Sequence, residues 1–354
     1  MKKIFVLIFV ISSFVSCSSD SVSSDNQQFY ESFVDNNITP LLNQLEIDCE
    51  NQRDAILAFK ENPTQSNFNV IQEKWLSTAL TFSKTTLYNY PKVASKYFNI
   101  NIYNYIISPS KIESEITINT TFTSSYFNNK TQTIKGLGSI EYLLYNNNNE
   151  QEALNLLTQE NNASKRIDYL LALSEYTLAQ ATSLKNFWLN EYKQDFITAN
   201  SKACSDNRKC IAINQIINVL DVARVTKIGK PAGIDGVHTN VELLEAYKSK
   251  SSLLLIKASL EEAKKIYLAG TQSFHTLVDE IDDSKKITAS INGNFSTTFK
   301  AIDDFNNTLY DGIVSNSDGI HPIYNGIKSL VTSFSVDVTS ILSIATLPTD
   351  NDGD

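Results

Sequence analysis

The scarcity of glycine and proline is the feature that most constrains how this chain can fold. Only 11 glycines and 7 prolines occur in 354 residues, or about 3% and 2%, where globular proteins average roughly 7% and 5%. A β-sandwich or barrel needs many tight turns, and such turns depend on these two residue types. The chain is 42% hydrophobic and 19% charged, which is apolar enough to build a folded core. The composition therefore predicts an all-α globular protein.

Apolar residues recur at three- and four-residue spacing through most of the chain, as amphipathic helices require. The pattern covers residues 28–61, 68–90, 166–192, 212–225, 241–269, 295–313 and 324–344. Residues 92–132 are rich in Asn, Ser, Thr and Tyr and lack sustained periodicity, which is typical of loop and short helical turns. Up to four antiparallel helices in each half predict two related helical bundles. We assign residues 28–160 to the first, with this loop-rich insertion, residues 161–347 to the second, and residues 348–354 to a disordered tail.

The N-terminus has the pattern of an export signal. A basic start at residues 1–3 precedes an apolar run at residues 4–15, which is too short to span a bilayer that needs about twenty residues. The run ends in Ser16 and Cys17, a small residue before cysteine as in a bacterial lipobox. This predicts a signal peptide of residues 1–16, lipidation of Cys17 and a Ser-rich tether at residues 17–27. We expect an outer-membrane lipoprotein of the cell envelope, facing the periplasm or the exterior; a plain secretory signal is the alternative.

The net charge limits the classes of binding partner, and the cysteines indicate where a disulfide and a free thiol lie. With 30 Lys and Arg against 39 Asp and Glu, the formal net charge is -9, which argues against nucleic acid as a partner. Cys204 and Cys210 flank a short polar loop, and an oxidising exterior permits a disulfide there, although sequence alone cannot show its geometry. Cys49 lies on an apolar helical face and is predicted to be a buried free thiol.

Five of the eleven glycines fall in two short stretches, each ahead of a predicted helix. Gly136 and Gly138 form one stretch, and Gly229, Gly233 and Gly236 form the other. Glycine permits positive φ and close backbone approach. Ordinary loop chemistry and a binding site at helix N-termini both remain open as explanations.

The segment KGLGSIEYLLY at residues 135–145 resembles the G-x-H-x-x-E motif and the apolar helix that follows it in the imelysin-like peptidase family. Supporting similarities lie at residues 72–75, 169–172, 188, 224–233, 241–242 and 247–249, and together they cover nearly all of the mature chain. The resemblance implies an all-α fold of two related bundles, an export signal and a site between the bundles. It also implies a link to iron uptake, with peptidase activity in only some members.

Gly138 occupies the position of the motif's histidine. Residues three apart share one face of a helix, so a His at that position and Glu141 could bind one metal ion. A catalytic metal normally takes about three protein ligands, which would now have to come from elsewhere. His238 and Glu242 are four apart and could form a replacement pair if a helix begins by His238; capping or surface solvation is the alternative. Glu141, Glu242 and His238 are thus the candidate metal ligands, for iron or zinc.

The two other histidines and the standard enzyme motifs offer no stronger site. His275 lies in an acidic segment that is predicted to be solvated, and His321 precedes a proline at a predicted helix start. The sequence contains no HExxH, P-loop or G-x-S-x-G motif, and these motifs would have indicated zinc, nucleotide or serine-hydrolase chemistry.

Glu141 lies near the edge of an apolar helical face, where an unpaired buried charge would be costly. Arg224 and Lys227 are its candidate partners, either in a salt bridge between the bundles or in a polar ligand site. The predicted ligand-binding residues of the cleft are Gly136, Gly138, Glu141, Arg224, Lys227 and Glu242.

The leading hypothesis is a lipid-anchored, imelysin-like binding protein without proteolytic activity, which takes a ligand or metal and works with iron or haem uptake proteins. One alternative is a divergent imelysin-type metallopeptidase that uses Glu141 with His238 or Glu242. A second alternative is an adaptor lipoprotein that docks to an outer-membrane transporter.

Overall fold

The regular structure of the described residues is helical. The computed structural model describes residues 27–118, 121–145, 149–270 and 272–350. Its α-helices are α1 (Gln27–Phe33), α2 (Thr39–Glu61), α3 (Gln65–Thr85), α4 (Pro91–Ala94), α5 (Phe98–Ile102), α6 (Pro109–Ile118), α7 (Gly136–Leu144), α8 (Glu150–Thr158), α9 (Ala163–Asn186), α10 (Lys193–Thr198), α11 (Arg208–Arg224), α12 (Ser252–Leu268), α13 (His275–Asp279), α14 (Lys286–Asp304), α15 (Leu309–Val314), α16 (Ile320–Thr332) and α17 (Thr339–Ile341). These ranges contain no β-strand, and one isolated antiparallel bridge joins Asn200 and Asn207. The all-α prediction is confirmed.

Wider and tighter helical turns connect several of these helices. The π-helical segments are Val34–Ile38, Phe187–Tyr192, Val225–Gly229 and Ser333–Val338. The 3₁₀ turns are Thr86–Tyr88, Ser124–Phe127, Gln132–Ile134, Cys204–Asp206 and Val241–Leu243. The predicted loop-rich insertion corresponds to the short helices α4 to α6 and the 3₁₀ turns that follow them.

The first bundle is formed by α2, α3 and α9, with α7 packed on α3 and α9. α2 ends where Asn62 precedes Pro63, because a residue before proline is disfavoured in the helical region. The hydroxyl of Thr64 then accepts a hydrogen bond from the backbone N–H of Asn67 and caps α3. α9, which lies beyond the boundary predicted at residue 161, buries Leu170 and Leu173 and packs on α2.

The second bundle is formed by α11, α12, α14 and α16, and it meets the first where α12 packs on α3. Near this junction the hydroxyl of Tyr88 donates a 2.5 Å hydrogen bond to buried Glu262 on α12. The helix predicted from residue 241 begins only at Ser252; before it the chain turns, with positive φ at Ala246 and Lys250. The helix predicted over residues 295–313 is divided into α14 and α15.

The predicted anchor and the predicted tail are described only in part. The signal peptide, Cys17 and the tether up to residue 26 lie outside the described residues, and Gln27 already belongs to α1. None of the helices in the described ranges is long and apolar enough to cross a membrane. Of the tail predicted from residue 348, Thr349 and Asp350 are hydrogen-bonded to α11, and residues 351–354 lie outside the described residues.

Candidate functional site

The start of α7 is built around a close backbone approach. Gly136 has a φ of 65°, in the left-handed region that favours glycine. A Cβ atom on Gly136 would overlap the carbonyl oxygen of Ile102, and one on Gly138 would overlap the carbonyl oxygen of Asn104. The chain that leaves α5 therefore passes directly over the N-terminus of α7. While it lies there, no side chain fits at position 138.

α3 holds α7 at both ends. The indole N–H of Trp75 donates a 2.9 Å hydrogen bond to the carbonyl of Leu137. At the far end, Gln72 Nε2 donates to the carbonyl of Leu144 at 2.8 Å, and the hydroxyl of Tyr145 donates to the carbonyl of Gln72 at 3.0 Å. These contacts explain why α7, at nine residues, has a defined position against the bundle.

Glu141 of α7 is buried and faces the second bundle. Its Oε1 atom accepts a 2.8 Å hydrogen bond from the backbone N–H of Ser249. Burial raises the pKa of Glu141 to about 7, against the opposing effect of the Ser249 hydrogen bond. The predicted salt bridge from Arg224 or Lys227 to Glu141 does not form among the described residues, because both cations pair with other carboxylates.

Arg224 belongs to a network at the end of α11. Its Nη2 atom lies 2.7 Å from Oδ1 of Asp221, and its Nη1 atom donates to the hydroxyl of Tyr324 at 2.8 Å. Tyr324 in turn donates to Asp235 at 2.9 Å. This network connects α11 and α16 with residues 229–236, which contain three glycines and are called the glycine-rich loop. Arg224 therefore stabilises that loop.

Lys227 forms an ion pair inside the junction between the bundles. Its Nζ atom lies 2.7 Å from Oε2 of Glu245, with side-chain exposures of 13% and 7%. The nearby hydroxyl of Tyr103 is buried and has no hydrogen-bond partner among the described residues. Burial raises the pKa of Tyr103 well above its usual value, and the negative charges of Glu141 and Glu245 raise it further. Tyr103 therefore keeps its hydroxyl proton.

A cavity of about 310 Å³ opens between the bundles at this point. Its walls include Asn89, Tyr103, Gln215, Lys227 and Glu245. Pockets that bind small molecules have volumes of roughly 300–1,000 Å³ with a few convergent polar groups. Besides the Tyr103 hydroxyl, Oδ1 of Asn89 is buried without a partner in the described part of the chain. The cavity wall therefore contains two residues with buried, unpartnered polar atoms beside a buried ion pair.

Glu242 lines a second cavity, of about 410 Å³. Tyr105 lines both cavities, so the segment after α5 separates them. The walls of the second cavity also include Ile106, Leu243 and Tyr247. Glu242 is exposed there, whereas Glu141 is buried, so the structure does not bring the predicted ligand residues into one site.

The three candidate metal ligands also remain apart. His238 is exposed in a loop that precedes the 3₁₀ turn carrying Glu242, so the helix that would have paired their side chains is absent. Within the described ranges, no group of three or more His, Cys, Asp or Glu side chains is placed to hold a metal ion. The donor set at Glu141 therefore does not fit iron or zinc. Of the other two histidines, His275 bonds Ser273 at 2.7 Å and His321 lies in the first turn of α16.

Several site residues had no distinctive signal in the sequence. Tyr103 and Asn89 lie in or next to the segment without periodicity, and Glu245 resembles any other helical glutamate. Ser249 contributes its backbone N–H, which every residue except proline possesses. In the sequence, only a carboxylate and a lysine near the glycine-rich loop indicated that polar residues gather at this cavity.

The three cysteines among the described residues are in two states. Cys204 and Cys210 form a disulfide at the start of α11. Cys49 is a buried free thiol, and burial raises its pKa. A high pKa leaves little thiolate, so Cys49 is unreactive in the folded protein.

Comparison with known proteins gives one family and one fold. Residues 38–336 match the family model Peptidase_M75: Imelysin. A crystal structure of a provisionally named iron-regulated protein A precursor from Parabacteroides distasonis is similar, with a TM-score of 0.76 and 15% identity over 92% of this chain and 97% of that one. An imelysin-like protein from Psychrobacter arcticum 273-4 has a TM-score of 0.78 and 13% identity over 93% and 98%. No curated protein sequence matches the chain.

Proposed function

The chain belongs to the imelysin family, and from that premise we propose that it is a ligand-binding protein of the cell envelope without proteolytic activity. A lipid on Cys17 holds it at the membrane, and it serves iron acquisition. The export pattern of residues 1–17 supports the envelope location. The similarity to the provisionally named iron-regulated protein supports the link to iron, with iron or haem uptake proteins as its partners.

The observation that carries this proposal is the contact between Gly138 and Asn104. A histidine at position 138 would overlap the Asn104 carbonyl, so the His–Glu pair of the family motif is replaced here by backbone packing. Glu141 itself accepts the Ser249 hydrogen bond that joins the two bundles. The motif's glutamate thus has an architectural role, and the ligand-binding role falls to the neighbouring cavity.

The ligand of the 310 Å³ cavity is a small polar organic molecule. The buried Asn89 oxygen and Tyr103 hydroxyl of the cavity wall lack partners among the described residues. A side-chain rotation that turns them into the cavity would let the oxygen accept a hydrogen bond and the hydroxyl donate or accept one. Lys227 and Glu245 present both signs of charge to one side of the cavity. A ferric chelate with hydroxyl and carboxylate groups has this chemistry, and it would bind through its organic ligand.

Calorimetric titration of the purified chain tests the binding proposal. The probes are ferric citrate, ferric catecholate and the two iron-free ligands. We expect micromolar binding of at least one probe, weakened about tenfold by Tyr103→Phe, which removes only the unpartnered hydroxyl. Tyr310→Phe, outside the cavity, is the matched control and should bind like the wild type. Absence of binding by all four probes would refute the iron-chelate branch.

Two further assays test the other parts of the proposal. The chain should leave casein intact with added Zn²⁺, and cleavage that is abolished by a chelator and by Glu141→Ala would overturn the non-proteolytic role. Cys17→Ser should move the protein from the membrane fraction to the soluble fraction and abolish labelling by a fatty acid. Unchanged fractionation would overturn the lipid anchor.

A further inference from the structure

Residues 345–350 have no helical or strand structure and lie along α11; we call them the C-terminal strap. Three side chains of α11 hold it: Asn214, Asn218 and Asp221. They are spaced at i, i+4 and i+7, so they lie along one face of the helix. α11 thus presents a polar track to the strap.

The first asparagine of the track binds the backbone of the strap. Nδ2 of Asn214 donates to the carbonyl of Ala345 at 2.9 Å, and the N–H of Leu347 donates to Oδ1 of Asn214 at 2.7 Å. An asparagine amide has one acceptor and one donor group, so it can pair with an extended backbone whatever the side chains are. This contact fixes the direction in which the strap runs along α11.

The second asparagine and the aspartate hold the end of the strap. Asn218 exchanges two 2.9 Å hydrogen bonds with Asp350, one to its carboxylate and one from its N–H. The hydroxyl of Thr349 donates to Asp221 at 2.9 Å. Asp350 and Asn218 both line the 310 Å³ cavity. The strap therefore ends at the mouth of that cavity.

The strap is fastened by hydrogen bonds more than by apolar burial. Ala345, Thr346, Pro348 and Asp350 are exposed, and Leu347 is only half-buried. A segment with few buried apolar contacts and exposed hydrogen bonds opens at a lower free energy than the core beneath it. The strap can therefore leave while α11, whose apolar residues are buried, stays folded.

We propose that the C-terminal strap is a displaceable gate, docked in cis on the Asn214–Asn218–Asp221 track, and that its release opens the cavity between the bundles. This inference rests on the proposed function in treating the 310 Å³ cavity as the binding site, and it adds a way of controlling access to that cavity. It does not depend on which ligand the cavity binds.

Accessibility of a cysteine in the cavity wall tests the gate without any ligand. Val222 lines the cavity one helical turn beyond Asn218, and Val222→Cys is introduced into the full chain with Cys17→Ser, while Cys49 remains buried. A polyethylene-glycol maleimide should label this cysteine at least tenfold faster when the chain is ended after Ile344. A peptide of residues 345–354, added in trans, should slow the labelling again, and Asn218→Ala should abolish that protection.

Two further variants keep the test independent of folding. Ser296 is an exposed residue of α14. Ser296→Cys should be labelled at the same rate with and without the strap, and this result would show that truncation has not loosened the fold. If the shortened chain fails to fold by circular dichroism, Thr349→Val with Asp350→Ala in the full chain should accelerate labelling several-fold. Equal labelling of Val222→Cys in folded chains with and without an intact strap would overturn the gate. Failure of ligand binding with faster labelling would contradict only the proposed function.

Discussion

The backbone N–H of Ser249 donates a 2.8 Å hydrogen bond to Oε1 of Glu141, which links α7 of the first bundle to a turn of the second. That turn has Ala246 and Lys250 at φ values of 55° and 56°, a conformation that costs roughly 1–2 kcal/mol for a residue other than glycine. The surrounding contacts must compensate for this strain. The bond between the bundles therefore depends on a locally unfavourable backbone conformation.

Glu141→Gln should alter how stability depends on pH. Because burial raises the pKa of Glu141 to about 7, this side chain is still protonated in the folded chain at pH values between about 4.5 and 7, where it has ionised in the unfolded chain. The stabilising contribution is complete below about pH 4.5 and is lost as the pH rises through 7. Glutamine cannot ionise, yet its amide oxygen can still accept the Ser249 hydrogen bond.

Urea unfolding of both proteins at pH 5 and pH 8 checks this prediction. The stability of the wild type relative to Glu141→Gln should fall by roughly 2–3 kcal/mol between these pH values. A stability difference that does not change with pH would contradict the effect of burial on this carboxylate.

Gly138→Ala should destabilise the fold because of the Asn104 carbonyl. Overpacking a tight site costs about 1–3 kcal/mol, and a histidine there should cost at least as much, with no recovery on adding zinc. Gly293→Ala is the matched control, because a Cβ atom there meets nothing within 4 Å; in an exposed helix interior it should gain about 0.5–1 kcal/mol. Denaturant midpoints of the two variants should therefore move in opposite directions.

The helices were largely predictable because their signal is local. Apolar spacing located α2, α3, α9 and α11, and Pro63 marked the end of α2. The bundle assignment of α9 was not predictable, because its apolar face would fit either half and the choice depends on tertiary packing. The segment before α12 was predicted to be helical for the same reason. Its apolar spacing is that of a helix, but the local sequence does not show the contact of Ser249 with Glu141 of the first bundle.

The candidate site was predictable only in part. Glu141, Lys227 and the two glycines of α7 were identified as special residues, but the partners of the two charged residues were wrong. Electrostatics favoured an ion pair of Glu141 with Arg224 or Lys227, whereas its hydrogen-bond donor is the backbone N–H of Ser249 and the nearby cation is Lys248. Such a donor has no sequence signature, and neither does the backbone that passes over Gly138.

Removing the disulfide should weaken the fold only modestly. Cys204 and Cys210 are six residues apart, and the loop-entropy relation gives about 2 kcal/mol for so short a loop. The double variant Cys204→Ser/Cys210→Ser should lose about that amount in urea unfolding. A reducing agent should lower the stability of the wild type equally and leave the variant unchanged; sensitivity of the variant would contradict this pairing.

The Lys227–Glu245 ion pair should show strong coupling in a double-mutant cycle. Both side chains are nearly buried, and removal of one partner leaves an uncompensated charge, which typically costs about 3–5 kcal/mol. Lys227→Met and Glu245→Gln should each have a cost in that range, while the double variant should cost clearly less than their sum. Lys257→Met is the control, because the 2.6 Å pair of Lys257 with Asp303 lies on the surface and should be worth about 1 kcal/mol or less. If the free-energy costs of Lys227→Met and Glu245→Gln add up in the double variant, the two charges do not interact and each is solvated separately. The cavity wall would then lack the ion pair that the proposed function assigns to it.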